Sequence, residues 1–314
     1  MRPAALGTDV PHAPLLPALK PYAQLVRLPN VFTALADITL GALAAGALPG
    51  RWLAFGLLLA TSACLYCAGM VWNDFFDVEQ DTRERPHRPI PSGKVSRQTA
   101  AMLGTMLFLV GVNAAVLAGL TYPTFHALPL VLALLLIPTI LLYDGWLKHT
   151  PTGPLAMGAC RFLNVLLGLS IAEPWVGGWG VHLAFVVGLY IVGVTWFART
   201  EAKRTKQSSL IGAACVMLAA LLFALPLPAY FPPDTSSVLF PYLLVLLGFA
   251  VGLPATQAIM NPTPPLVQAA VKRAIMGLVL LDAVLATAIA GPIGLLILLL
   301  LPPALLLGRW LYST

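Results

Sequence analysis

Apolar residues arrive along this chain in long runs separated by short polar breaks. Each run has the length that carries an α-helix across a bilayer, about 20 residues. The runs fall near residues 25–48, 52–72, 99–119, 124–145, 156–175, 180–198, 208–228, 237–258, 269–290 and 293–311. The first nine predict membrane-spanning helices; the tenth contains Pro302-Pro303, which leaves the bundle at nine helices or ten. No break is long enough to join two domains, so residues 22–314 predict one all-α polytopic membrane domain. Ahead of it, Pro3, Pro11, Pro14 and Pro17 interrupt every apolar stretch. That pattern is no cleavable signal peptide and predicts a flexible cytoplasmic tail over residues 1–21.

Composition excludes a soluble globular domain. Hydrophobic residues make up 59% of the chain and charged ones only 10%, with a mean hydropathy of +0.87, where a soluble domain carries about 25% charged residues. The net charge of +6 is a topology signal and gives no reason to expect nucleic-acid binding. With the N-terminus inside, every Lys and Arg except Arg51 and Arg161 falls on one side or at its helix ends. Short cytoplasmic loops carry such an excess, so the breaks after the second, fourth and sixth helices face the cytoplasm. Cys64 and Cys67 form a C-x-x-C inside a span, where cysteine packs as a small apolar residue.

Chemistry concentrates in those three cytoplasmic breaks. The first opens with Asn73, Asp74, Asp77 and Asp81, at offsets 0, 1, 4 and 8. On a helix these point to roughly 0°, 100°, 40° and 80°, within one quadrant. Carboxylates crowded this way call for a hard cation, and Mg²⁺ favours a few carboxylates plus substrate phosphate oxygens. Arg85, His87, Arg88 and Lys94 follow in the same loop. The second break holds Tyr143-Asp144-Gly145-Trp146-Leu147-Lys148, and the third Arg199, Glu201, Lys203 and Arg204. Arginine and lysine would supply charge-assisted hydrogen bonds to pyrophosphate oxygens that the metal leaves free.

Polar residues inside the spans predict a cavity. Arg27, Asn30 and Asp37 lie within about 80° of one helix face, and Arg161 and Asn164 form an i, i+3 pair. Charged groups in a bundle face a cavity or a partner. Substrate contact and a structural Asp37–Arg161 or Asp37–Arg27 pair are both open readings. Asp282 reads as structural and His87 as a solvated loop residue.

The run Asn73-Asp74-x-x-Asp77-x-x-x-Asp81, followed by Arg88-Pro89-x-Pro91-x-Gly93, resembles the first signature of the UbiA family of intramembrane prenyltransferases. Arg27-Leu28-Pro29-Asn30 and the stretch from Tyr143 to Lys148 followed by Gly153 and Gly158 extend the resemblance over residues 25–310. It implies a helical bundle around a central cavity capped by cytoplasmic loops, in which two Mg²⁺ ions hold a prenyl pyrophosphate. Carried over, it makes Asn73, Asp74, Asp77, Asp81 and Glu201 metal ligands. Asp74, Asp77, Lys148 and Arg204 become the catalytic groups. Arg27, Asn30, Arg85, Arg88, Lys94, Tyr143, Arg161, Asn164 and Arg199 become substrate-binding. The partners are the prenyl pyrophosphate, an unidentified small-molecule acceptor and membrane lipids.

One departure stands out. The family's second motif has two aspartates four apart after the sixth helix, whereas this chain has Phe197 and Glu201. The second ion would rest on Glu201 alone, or fixed charge from Arg199, Lys203 or Arg204 would replace it. The Ala198-Arg199-Thr200-Glu201-Ala202 string, with Cys160-Arg161-Phe162-Leu163-Asn164, is most similar to the EboC-type branch. Two alternatives stand beside prenyl transfer: a non-catalytic lipid- or metabolite-binding or translocating protein, and transfer of a phosphosugar to a polyprenyl phosphate. Mg²⁺-dependent pyrophosphate release would separate the enzyme from the translocator. The orientation makes its own prediction: a cysteine placed at Ser92 is shielded from an external thiol reagent, while one at Ser236 is labelled. The reverse labelling pattern would invert the topology.

Overall fold

The computed structural model describes residues 15–199, 207–232 and 237–312, so Glu201, Lys203 and Arg204 lie outside the described residues. Among those described, there are helices and turns and no strand. A short helix α1 (Leu15–Leu25) precedes α2 (Val31–Ala44), α3 (Trp52–Phe76), α4 (Val78–Glu84) and α5 (Arg97–Leu120). Then come α6 (Leu128–Gly145), α7 (Gly153–Leu169), α8 (Gly178–Ala198) and α9 (Gln207–Ala224). The chain closes with α10 (Phe240–Met260), α11 (Pro264–Ala290), a 3₁₀ segment (Gly291–Leu300) and α12 (Leu301–Tyr312). Seven stretches are long and apolar enough to cross a membrane, and the shorter apolar helices Leu28–Ala44 and Gly153–Leu169 stand among them.

Helix starts follow local chemistry. Proline stands in the first turn of α6, α7, α10 and α11, where its missing N–H costs no hydrogen bond. Ser96 caps α5, its Oγ accepting from the Thr99 N–H at 3.0 Å. Burial is arranged for lipid outside and small or polar groups inside. On α10, Val245, Leu246 and Phe249 are each at least 60% exposed, while Asp37, Asp282 and Thr287 are fully buried.

Helices α2, α3, α6, α7, α8 and α11 surround the central space, with α5 packed on α3, α9 on α8 and α10 on α11. Glycine permits the closest crossings. A Cβ on Gly41 of α2 would stand 2.5 Å from the Leu169 nitrogen of α7, and one on Gly168 would stand 2.7 Å from the Ile38 carbonyl. Such backbone-to-backbone approach is how helices associate without a hydrophobic driving force between them. This crossing lies toward the ends of α2 and α7, away from Asn73.

The last apolar stretch does not stop at Ala290. Gly291 takes φ 72°, the chain reverses, and the 3₁₀ segment runs back along α11 and α2. At about 2.0 Å per residue, followed by α12 at about 1.5 Å, it covers roughly 38 Å, more than the hydrocarbon thickness of about 30 Å. Gln24 Nε2 donates to the Leu311 carbonyl at 2.9 Å, which fixes the return at the end holding α1. Pro302 and Pro303 do not interrupt this crossing; they sit in the first turn of α12, where 3₁₀ geometry gives way to α.

The glycine crossing predicts a selective effect. Gly41→Ala should lower stability by about 1–3 kcal/mol through overpacking. Gly56→Ala, with nothing within 4 Å of its added Cβ, should leave it unchanged. Thermal unfolding of both variants in detergent checks the contrast, and equal midpoints would contradict it.

Candidate active site at the mouth of the central cavity

The polar quadrant expected of residues 73–81 forms, with a bend in it. Helix α3 ends at Phe76, and Asp77 at φ −86°, ψ 4° joins it to α4. Hydrogen bonding continues across the joint, from the Asp77 N–H to the Asn73 carbonyl at 3.0 Å and from the Asp81 N–H to the Asp77 carbonyl at 2.8 Å. All four side chains therefore stay together, outside the cavity wall itself and joined to it through Arg27, which pairs with Asp74 and lines the cavity.

Each acid has a cationic partner drawn from a different part of the chain. Arg27 Nη2 meets Asp74 Oδ1 at 3.0 Å, and Arg88 Nη1 reaches Asp74 Oδ1 at 3.3 Å and Asp81 Oδ2 at 2.5 Å. Lys148 Nζ lies 2.6 Å from Asp77 Oδ1 and donates to Asn73 Oδ1 at 3.3 Å. Asn73 also donates to Asp74 Oδ1, at 3.3 Å. Arg27 reaches its acid from a left-handed backbone, φ 48° and ψ 50°, the one such non-glycine residue among those described. That conformation costs about 1–3 kcal/mol and persists where surrounding structure enforces it.

Below the mouth lies a cavity of about 350 Å³. Arg27, Asn30, Tyr143, Arg161 and Asn164 all line it. The open choice for Asp37 is resolved: Arg161 Nη1 pairs with Asp37 Oδ2 at 3.0 Å, and Arg27 turns instead to Asp74. Arg161 Nη2 donates to Thr33 Oγ1 at 2.8 Å, Asn164 Nδ2 to Asp37 Oδ2 at 2.8 Å, and Ser62 Oγ to Asn164 Oδ1 at 2.7 Å. Arg161 and Asn164 are thus rigid parts of the cavity wall. Asp282, fully buried on α11 beside this network, accepts no hydrogen bond among the described residues.

Other expected residues lie apart. Arg85, His87 and Lys94 are exposed on the loop after α4. Arg199 is exposed at the end of α8, its Nη1 3.4 Å from where a Cβ on Gly153 would stand, outside the cavity wall. Phe197 is buried to 2% exposure, and α8 faces the cavity with Ile191, Val194, Thr195 and Ala198. The described part of α8 therefore offers the cavity no carboxylate. One acid of the second break was given no role in the sequence: Asp144, 2% exposed, lines the cavity from the last turn of α6.

Donor chemistry at the mouth suits a hard cation. No three carboxylate, imidazole or thiol groups among the described residues converge as a ready-made metal site. The Lys148 ammonium, however, is held between the oxygens of Asn73 and Asp77. A positive charge already sits between these two donors, and oxygen ligands of this kind are those Mg²⁺ takes.

The helical bundle, with an acid–base cluster beside a largely apolar cavity, defines a polytopic helical membrane protein. A sequence model of the UbiA prenyltransferase family matches residues 34–262, and the chain belongs to that family. It is similar to digeranylgeranylglyceryl phosphate synthases of archaea. It is 33% identical to that of Methanopyrus kandleri over 177 residues, 54% of this chain and 60% of the relative. It is 36% identical to that of Methanospirillum hungatei over 180 residues, 56% and 57% of the two chains. With the Saccharolobus solfataricus protein it shares 33% over 156 residues, 48% and 51%. The matches span about half to three-fifths of these relatives' lengths. A solved structure described as giving insights into digeranylgeranylglyceryl phosphate synthase in membranes superposes with a TM-score of 0.63 at 22% identity. It covers 87% of this chain and 99% of that one, and so shares the fold.

Arg88 alone serves two acids, which makes it the weak point of the cluster. Arg88→Ala should leave Asp81, whose side chain is 4% exposed, without its partner. The expected loss is about 1–3 kcal/mol, the cost of stranding a charged group. Thermal unfolding at low and high salt measures it, and an unchanged midpoint would refute the pairing.

Proposed function

We propose that this protein transfers a prenyl group from a prenyl pyrophosphate to a small-molecule acceptor inside the membrane, with its site on the cytoplasmic face. The observation that carries this reading is the matched set of Asp74, Asp77 and Asp81 against Arg27, Arg88 and Lys148 above an apolar cavity. In the free protein these charges satisfy one another. A magnesium prenyl pyrophosphate would bring both signs at once: the carboxylates would turn to the metal and the cations to phosphate oxygens, and the net charge of the site would change by only about one unit.

Asn73 and Asp77, with Asp74 beside them, would hold Mg²⁺, which neutralises the developing charge of the leaving pyrophosphate when bound. Arg27, Arg88 and Lys148 would donate charge-assisted hydrogen bonds to its oxygens. The cavity beneath holds the reacting end of the prenyl chain away from bulk water, so an acceptor captures it before solvent does. The relatives' names describe a product with two geranylgeranyl groups on a glyceryl phosphate. Geranylgeranylglyceryl phosphate is therefore the first acceptor to try. The EboC-type likeness of residues 198–202 argues for trying a wider metabolite extract beside it.

The test uses purified protein, labelled prenyl pyrophosphates and Mg²⁺, with pyrophosphate release and product analysis as readouts. Asp77→Ala should weaken Mg²⁺-dependent pyrophosphate binding by more than about tenfold, the worth of one charge-assisted contact or more, with thermal stability retained. Binding that persists undiminished in Asp77→Ala would sink the assignment.

A further inference from the structure

Asp144 stands out from the other acids of the site. Asp74, Asp77 and Asp81 are each paired with a cation, whereas Asp144 makes no ion pair and accepts no hydrogen bond among the described residues. Its side chain is nevertheless almost wholly enclosed, 2% exposed, and lines the cavity. Lys148 and Arg27 pair with Asp77 and Asp74 instead. An unpaired carboxylate facing a cavity calls for an explanation.

Depth gives one. Asp144 Oδ2 lies 3.9 Å from the point where a Cβ on Gly69 would stand. Gly69 precedes Asn73 by one helical turn on α3, about 5–6 Å further into the membrane. The carboxylate thus faces the cavity just beneath the level assigned to the pyrophosphate, where the first carbon of a prenyl chain would lie. A metal ligand is the competing explanation. The cavity wall around it includes Ile140, Met157, Cys160 and the phenol of Tyr143, a set of soft sulfur, hydrocarbon and one neutral oxygen where Mg²⁺ favours several carboxylate or carbonyl oxygens. Among the described residues, no three acidic, imidazole or thiol groups converge there. What the carboxylate lacks is a hydrogen-bond donor, and the ligand that enters beside it supplies one.

We propose that Asp144 is a catalytic residue that binds the acceptor through a hydroxyl and takes its proton. The inference rests on the prenyl-transfer reading of the site. In the step, the bond between the first prenyl carbon and the pyrophosphate oxygen breaks and its electron pair leaves with pyrophosphate. A lone pair of the acceptor oxygen forms the new carbon–oxygen bond, and the hydroxyl proton passes to the Asp144 carboxylate. An alcohol becomes strongly acidic only as that bond forms, so a carboxylate suffices as base. The acceptor class is accordingly an alcohol, and the product an ether.

Two events can be measured separately in the full-length protein with Mg²⁺ and geranylgeranyl pyrophosphate carrying heavy oxygen at the bridging position. Migration of the label to non-bridging positions reports ionisation and return. Formation of alcohol or ether from water, glycerol or geranylgeranylglyceryl phosphate reports capture. In Asp144→Asn, pyrophosphate binding and label migration should stay within about threefold of wild type. Capture should fall by about 100-fold or more, the usual contribution of a general base, and the acidic limb of its pH profile should vanish. Capture within about tenfold of wild type, or loss of binding and migration together with capture, would overturn the assignment. So would a wild-type protein that moves the label but yields no product from any of the three acceptors. A wild-type protein that neither binds the pyrophosphate nor moves the label would overturn prenyl transfer itself, and this role with it.

Discussion

Charge neutrality at a membrane surface governs this structure. Three carboxylates at the end of α3 and the start of α4 lie where apolar helices lower the local dielectric, and unpaired charge there is expensive. Arg27, Arg88 and Lys148 remove that cost, and each comes from a separate region of the chain. The pairs therefore pull the start of α2, the loop after α4 and the turn after α6 onto one point. The shape of the cavity mouth is a consequence of pairing these charges, as much as of packing the helices below.

A second charged layer lies deeper and does a different job. Asp37, Arg161, Asn164, Thr33 and Ser62 tie α2, α3 and α7 together through short hydrogen bonds. Unlike the mouth, this layer pairs its charges across helices of the bundle, although Asp37 Oδ1 and both oxygens of the neighbouring Asp282 have no hydrogen-bond partner among the described residues. The division suits a chamber whose floor must stay fixed while its rim exchanges partners. Between the two layers the wall is mostly apolar, with Asp144 the exception.

Much of this was legible in the sequence. Long apolar runs marked the helices because the bilayer sets their length, and the 3.6-residue period brought Asn73, Asp74, Asp77 and Asp81 onto one face. What could not be read was tertiary. Nothing local tells Arg88, which folds back onto two acids, from Arg85 and Lys94, which stay exposed on the same loop. The choice of Asp74 over Asp37 by Arg27 depends on a left-handed backbone that no pattern announced. The bend at Asp77 was hidden because hydrogen bonding continues through it. Asp144 stood in the second break without a role, because only the neighbouring helices that enclose it place it in the cavity wall.

The final crossing was obscured by its prolines, yet it carries a simple pattern of its own. In the 3₁₀ segment the buried residues are Gly291, Gly294 and Ile297, a spacing of three that stacks them in one straight column. A Cβ on Gly294 would stand 2.6 Å from the Thr287 nitrogen of α11, so the column must begin with residues that have no side chain. Such a strip behaves as a three-sided key. Adding a single residue between Gly291 and Gly294 turns every later position by about 120°, presenting Ile293 where Gly294 now fits. An α-helix can absorb a similar slip by spreading it over a broad face, but a key with three flat sides cannot. The last crossing of this bundle is thereby held to its length more strictly than any of the α-helices it packs against.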